Sequence, residues 1–277
     1  MSRYLSTALT AMVAAATLHQ VGMAEPAAAI ELIGLTNNNT LVSFDSDRPT
    51  TARKIEIQGI DGTLVGIDFR PANQLLYGVT SSSKIYTIDP ATGTATLVSN
   101  LSTPFMGGMR SGVDFNPVAD RLRLVGANGQ NFRVNVETGE TVVDKPLAYA
   151  MGDRNYGKGA AVSAGAYTNS IPGAKTTQLF DIDSVMDVLV LQSPPNNGAL
   201  KTIGALDANF SPTAGMDVVT DSNGANTAFA VSGSALYSVD LSKGSAKTMG
   251  TINVNNRPVN LIDVAAMPLS RSSAAKP

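Results

Sequence analysis

From residue 30 to residue 266 the chain is a succession of short apolar–polar alternations, broken by Gly, Pro, Asn, Asp and Ser. Period-two runs of this length between turn formers predict β-strands joined by hairpins. The clearest run is Lys84-Ile85-Tyr86-Thr87-Ile88, followed by the turn Asp89-Pro90-Ala91-Thr92-Gly93. Related turns begin at Asp45, Asn135, Asp183 and Asp240, in steps of 44, 46, 48 and 57 residues. A strand-marked period in the forties is the spacing of β-propeller blades.

The second unit is complete, with strands predicted at Leu64–Phe69, Leu75–Thr80, Lys84–Ile88 and Thr94–Val98. The third copies it from Gly112–Phe115 onward and turns at Asn128-Gly129, a strong hairpin signal. The first unit has only three strands, at Ile30–Thr36, Thr40–Phe44 and Arg53–Ile57. The fourth is irregular, with a first strand expected at Pro146–Met151, a second at Ala160–Tyr167, a third at Gln178–Ile182 and a fourth at Asp187–Gln192. In the fifth, Gly215–Val219 opens the unit and Ala246–Met249 closes it. Asn260–Ala266 is left over, and its Leu261-Ile262-Asp263 aligns with Gly66-Ile67-Asp68, Gly112-Val113-Asp114 and Gly215-Met216-Asp217. A surplus strand at one end and a missing one at the other predict ring closure, which leaves no open sheet edge at the join. The expected fold is all-β: a single five-bladed β-propeller of four-stranded antiparallel blades, the C-terminal strand completing the first blade. An open solenoid or two tandem sandwiches are the competing architectures.

Residues 1–24 have a different pattern. Arg3, the small apolar run Leu5–Leu18 and Gly22-Met23-Ala24 read as a signal peptide. The expected domains are therefore 1–24 leader, 25–267 propeller and 268–277 disordered tail, with export to the periplasm or the cell exterior and no membrane span once the leader is cut. The single histidine, His19, leaves with the leader, and the chain has no Cys and no Trp. Ser-His-Asp and Cys-His nucleophile systems are thereby excluded, as is a usual structural zinc site. Charged residues are 15% of the chain and the net charge is −2, so nothing favours nucleic acid or an anionic membrane.

Two sets of residues remain as site candidates. The aligned Asp68, Asp114, Asp217 and Asp263 fall in inner strands around the predicted channel. Converging carboxylates suit Ca²⁺, which takes six to eight oxygens, or they accept hydrogen bonds from neighbouring backbone as braces. Calcium is the one cofactor the residue types invite; otherwise none is expected. The second set lies in the loops Phe105–Arg110 and Gly152–Gly159, which interrupt the repeat: Phe105, Arg110, Asp153, Arg154, Tyr156 and Lys158 are its ligand candidates. The repeated turn aspartates read as turn formers, Asp181-Ile182-Asp183 with Asp187 is a poor calcium loop, and Tyr86, Phe132, Phe180 and Tyr237 read as third-strand packing residues.

The chain resembles a family of exported bacterial proteins known only as a domain of unknown function. The likeness is carried by Gly66-Ile67-Asp68-Phe69-Arg70-Pro71, Leu76-Tyr77-Gly78, Ile88–Gly93, Gly112–Pro117, Ala166-Tyr167-Thr168-Asn169, Asp181-Ile182-Asp183-Ser184 and Pro194-Pro195-Asn196-Asn197-Gly198, and spans about residues 30–267. It implies a propeller-like repeat and supplies no reaction. The sequence thus points to a monomeric binding or scaffold module, its partner a protein or glycan of the cell envelope. The competing function is a Ca-dependent hydrolase or lactonase with carboxylates in the channel.

Overall fold

The computed structural model describes residues 29–269. The expected leader at 1–24 and residues 270–277 of the tail expected at 268–277 lie outside the described residues, whereas Leu269 packs against the apolar cluster between the fifth blade and the first. Strands β1 (Glu31–Leu35), β2 (Thr40–Asp45) and β3 (Arg48–Glu56) belong to blade 1; β4 (Leu64–Phe69), β5 (Leu76–Thr80), β6 (Lys84–Ile88) and β7 (Ala95–Asn100) form blade 2. Blade 3 is β8 (Ser111–Asn116), β9 (Arg121–Gly126), β10 (Asn131–Val134) and β11 (Thr141–Val143). The short β12 (Ala148–Tyr149) precedes blade 4, which is β13 (Val162–Tyr167), β14 (Leu179–Asp183), β15 (Val188–Gln192) and β16 (Ala199–Ala205). Blade 5 is β17 (Gly215–Thr220), β18 (Asn226–Ser232), β19 (Ala235–Val239) and β20 (Ala246–Thr251). After a small hairpin, β21 (Asn253–Val254) and β22 (Arg257–Pro258), the strand β23 (Asp263–Ala266) pairs antiparallel with β1 and completes blade 1. The fold is a five-bladed propeller closed as the sequence predicts.

Burial follows position in the blade rather than alternation along a strand. Every residue of the inner strands β4, β13 and β17 is buried, because both faces lie against neighbouring blades. The outer strands β7 and β20 have no fully buried residue. Five apolar clusters hold the ring, one at each blade boundary; Tyr77, Phe115 and Phe132 are in the cluster between blades 2 and 3, with Tyr77 and Phe115 edge to face at 5.3 Å between centroids. Close approach at the axis requires glycine: a Cβ on Gly112 would lie 2.5 Å from the Gly165 nitrogen, and one on Gly215 2.3 Å from Cα of Asp263.

The repeated turn is a clasp between blades. In blade 2 the Asp89 Oδ1 accepts the Ala91 amide at 2.8 Å, which lets Gly93 turn with φ +75°. The Gly93 carbonyl then accepts the Gln58 amide beyond the outer strand of blade 1, at 2.9 Å. Gly139 of blade 3 accepts from Ser102 in the same way. The blade 4 counterpart is Gly198, whose carbonyl accepts the Ala148 amide at 2.9 Å.

This corrects the phase of the fourth unit. Pro146–Met151 is not its first strand but holds β12, which adds in parallel to the outer β16. Val162–Tyr167 is the inner strand, the Asp183 turn joins the second and third strands, and Ala199–Ala205 is a fourth strand that the alternation did not reveal. Phe180 therefore lies in a second strand, and Val190 occupies the row of Tyr86, Phe132 and Tyr237.

Blades 3 and 4 share the smallest apolar cluster and are joined by a buried polar network as well. Arg123, 2% exposed, donates to Asp144 at 2.7 Å, Asn131 at 2.7 Å, Asn196 at 2.8 Å and the Tyr167 hydroxyl at 3.2 Å. Replacing it strands several buried acceptors. Arg123→Leu is expected to cost about 3–5 kcal/mol and to lower Tm by on the order of 10 °C, measured by calorimetry; a change within about 2 °C would contradict the role given to this network.

Candidate functional site

The inner strands bring carboxylates to the axis by a simple rule. An Asp two residues after the close-approach glycine of such a strand faces the next blade, whose first strand has amides free of its own sheet on that side. Asp68 Oδ2 accepts the Phe115 amide at 2.7 Å, Asp114 Oδ1 accepts that of Tyr167 at 3.0 Å, and Asp217 Oδ2 accepts that of Ala266 at 2.5 Å. These three bonds cross from blade 2 to 3, from 3 to 4 and from 5 to 1. One oxygen from each of Asp68, Asp114 and Asp217 lies within 4.8 Å of the other two, and all three residues are buried.

Asp263 is not the fourth member of that row. Its Oδ2 accepts the Ile67 amide at 2.9 Å, two residues before the amide that the row would contact. The hydrogen bonds place Ala265 level with Asp68, and Asp263 level with Gly66, Gly112 and Gly215. A two-residue shift keeps a side chain on the same face of a strand, so the sequence alignment concealed it. In blade 4 the row position is Ala166, and the boundary with blade 5 is bridged higher up: the Ser170 amide donates to Thr220 Oγ1 at 2.9 Å, and Asn169 exchanges bonds with Asn226 at 2.8 and 2.9 Å.

Electrostatics at the axis oppose ionisation. Burial, and then the charge of Asp217, pushes the Asp68 carboxyl well above the usual carboxylate range. Burial, and then the charges of Asp68 and Asp217, does the same to Asp114. Burial raises Asp217 to about 6. Burial also holds Asp263 high. Away from the axis, Asp181 is fully buried between blades 3 and 4, neither of its oxygens has a hydrogen-bond partner, and burial raises it to about 8.

A cavity of about 560 Å³ opens where the inner strands end, and Asp68 and Asp217 line it. Its walls are Pro71 from blade 2, Ile171 and Pro172 from the long loop of blade 4, Val219 from blade 5, and Ala266 and Leu269 from the closing strand and its continuation. Asp221, Thr220, Ser170 and Ser222 supply polar groups around it. None of these wall residues was a sequence candidate. The signal was present only as the unusual length of the Asn169–Lys175 loop.

The loop candidates lie elsewhere. Phe105–Arg110 and Gly152–Gly159 precede inner strands, so they stand at the end of the ring opposite the cavity. Phe105 is 2% exposed and packs on Phe132 at 5.6 Å between centroids, which makes it a core residue rather than a ligand contact. Asp153 is tied to the outer strand β16 by the Thr202 amide at 2.6 Å and the Thr202 hydroxyl at 2.8 Å. Arg110, Arg154, Tyr156 and Lys158 are exposed, and Lys158 Nζ donates to Asn155 at 3.0 Å. The three carboxyls of Asp181, Asp183 and Asp187 do not converge either: Asp183 takes the Tyr149 hydroxyl and the Ala161 amide, while Asp187 takes the Phe210 amide.

A family profile described as a domain of unknown function, DUF4394, matches residues 40–265. No curated protein matches the chain. Among solved structures, it is similar to a structural-genomics protein of unknown function from Bacteroides thetaiotaomicron, at 18% identity and TM-score 0.46, over 88% of this chain and 62% of that one. An auxiliary nutrient binding protein from Bacteroides ovatus is 14% identical, with TM-score 0.44, over 78% of this chain and 57% of that one. PorZ, a surface component of the type-IX secretion system of Porphyromonas gingivalis, is 15% identical, with TM-score 0.38, over 82% of this chain and 27% of that one. The chain thus spans less than two thirds of the length of each.

The raised carboxyls set a pH dependence. A carboxyl whose folded value exceeds its unfolded value, about 3.9 for Asp, stabilises fully below the unfolded value and loses that contribution as pH rises through the folded one. For Asp217 and Asp181 the loss runs through about 6 and about 8. Asp120 and Asp144 have the opposite sign, being held low: Asp120 chiefly by its hydrogen bond to Arg70, and Asp144 by Arg133 and Arg123, against the opposing effect of its burial. Stability is therefore expected to peak at about pH 4 and to fall above it by up to about 1.4 kcal/mol per pH unit per raised carboxyl, the share of Asp217 ending at about 6 and that of Asp181 at about 8. Urea midpoints across this range check it. Asp181→Asn should flatten the decline between about pH 4 and about pH 8, and a midpoint that rises toward pH 8 would contradict the account.

Proposed function

The chain belongs to the DUF4394 family, a domain of unknown function, and on that premise we propose that it is an exported, non-catalytic binding module that takes a small molecule at the mouth of its central channel. The observation that carries this reading is the cavity of about 560 Å³, with walls that are mostly apolar and carboxyls of Asp68 and Asp217 at its lining. Ligand sites have this construction: concave, mainly hydrophobic, with a few polar groups that fix orientation. Its place at one end of a closed ring also gives it a rigid frame, since its walls come from blades 1, 2, 4 and 5.

The reading is non-catalytic because of what lines the cavity. Carboxyls, hydroxyls and apolar side chains are present there, and the only histidine of the chain is in the leader pattern. Asp68 and Asp217 each already hold an amide of the next blade. Export rests on the sequence of residues 3–24, which lie outside the described residues. Among the described residues, no helix is long and apolar enough to cross a membrane.

One observation favours a second reading, in which Ca²⁺ sits at the axis and serves hydrolysis: oxygens of Asp68, Asp114 and Asp217 approach within 4.8 Å of one another. The donor set fits calcium in kind, being all oxygen, but three carboxylates that also hold backbone amides fall short of six to eight ligands without several waters.

A small-molecule library read by thermal shift tests both. Under the binding reading, hits raise Tm, Ser222→Trp at the cavity wall abolishes them, and Tyr156→Ala at the opposite end of the ring leaves them intact. Hits lost with Tyr156→Ala and kept with Ser222→Trp would overturn it. Millimolar Ca²⁺ against EDTA is expected to move Tm by less than about 2 °C; a rise of several degrees, the effect of metal at about 100 times its Kd, would favour the calcium reading instead.

A further inference from the structure

We propose that the ligand of this cavity is a small molecule with a protonated amine on an apolar body, the amine seated at Asp68 and Asp217 and the body against Ile171, Pro172 and Leu269. The inference rests on the preceding reading that the cavity is the ligand site, and it adds the chemical class.

The first argument is the sign of the lining. Among the described residues, Asp68, Asp217 and Asp221 are its ionisable lining, and no Lys, Arg or His joins them. A site of one sign with low-dielectric walls concentrates the field and selects the opposite charge. The second argument is how the floor carboxyls are satisfied. Their partners are backbone amides, Phe115 for Asp68 and Val218 and Ala266 for Asp217, and among the described residues no basic side chain pairs with either. Asp114 adds a third carboxyl beside them, with one oxygen from each within 4.8 Å of the others. A cation entering here would relieve the mutual repulsion and the cost of desolvation together.

Geometry then chooses among cations. An ammonium donates three hydrogen bonds tetrahedrally. At about 2.8 Å from each of two acceptors it spans oxygens up to roughly 4.6 Å apart, and the oxygens of the trio lie within 4.8 Å of one another. The walls are an independent observation, contributed by different residues. They offer a body of apolar contact that a bare divalent ion has no use for, and too few oxygens to complete its shell. An amine on an apolar stem uses both halves of the cavity. Ile171 and Pro172 are well placed to cover the stem: their loop is pinned to blade 5 through Ser170 and Asn169, yet Ile171 remains 38% exposed at its outer end.

Calorimetric titration of the purified protein with 4-phenylbutylamine, 4-phenylbutanol, 4-phenylbutyrate and CaCl₂ tests the class. The amine is expected to bind at least about tenfold more tightly than the alcohol, a difference of about 1.4 kcal/mol, and the acid more weakly than both. The advantage should grow as pH rises through about 6, where Asp217 gives up its proton, with no basic side chain among the described residues lining the cavity to offset it. Asp217→Asn keeps an acceptor for the Ala266 amide, so it should erase the amine's advantage and leave the alcohol's affinity unchanged. If that variant does not fold, Asp221→Asn at the rim should narrow the advantage severalfold with the same Tm. Equal affinity for amine and alcohol, both lost with Ser222→Trp, would overturn the charge assignment while leaving the cavity as the ligand site. Tight binding of Ca²⁺ with no preference for the amine would overturn it in favour of a divalent ion. Absence of binding by every probe, with Ser222→Trp indistinguishable from the parent, would overturn the inference and the cavity reading together.

Discussion

The carboxylate–amide bonds that cross from one inner strand to the next are what the ring depends on. A propeller must bring its inner strands together around an axis, where side chains have no room and backbone groups on the inward side have no sheet partner. The chain meets both demands with two rows of residues. Gly112 and Gly215 let strands approach to distances at which a Cβ would collide with the neighbouring backbone. Asp68, Asp114, Asp217 and Asp263 take the amides left over, each from the following blade. An amide left unpaired in so dry a place would cost about 1–3 kcal/mol, so four such bonds matter to a fold of marginal stability.

The same arrangement creates the site. Carboxyls placed at the axis for structural reasons repel one another there, and their pKa values rise because burial and mutual charge both penalise ionisation. Two of them face a cavity whose walls the loops and strand ends supply. Under the proposed reading one set of side chains serves both structure and binding: among the described residues, the oxygens that hold amides of neighbouring blades also supply the charge at the depth of the cavity. The loop of blade 4 links the two roles, since Asn169 and Ser170 bridge the one boundary that has no inner-strand carboxylate, and Ile171 and Pro172 overhang the cavity.

How much of this was legible depended on how local the signal was. The Asp89 turn could be read because an Asx turn followed by a positive-φ glycine has a short sequence form, and the repeat with its closing strand followed from it. The same chemistry misled in blade 4. Asp183 makes an Asx contact to Val185 at 3.0 Å, but at a different hairpin, while the true clasp, Pro194–Gly198, contains no Asp. Phasing on Asp183 displaced the fourth unit by one strand and hid β16. The aspartate row was visible as a row, yet Asp263 was misplaced by two residues, a shift that alternation cannot detect. The cavity was not legible at all. Its walls come from residues near 70, 170, 220 and 268, and only ring closure brings them together. Exposed, irregular loops drew attention instead, and one of their residues, Phe105, is simply core.

The claim that these carboxyls serve first as acceptors of neighbouring amides is tested most directly at Asp114, which does not line the cavity. Chemical denaturation of Asp114→Asn and Asp114→Ala, compared near neutral pH, separates hydrogen-bond acceptance from charge. The account predicts that Asn, which keeps an acceptor for the Tyr167 amide and removes a repelling charge, is at least as stable as the parent, whereas Ala loses about 1–3 kcal/mol. Equal, large losses in both variants would mean that the negative charge itself is needed at the axis, and would contradict the account.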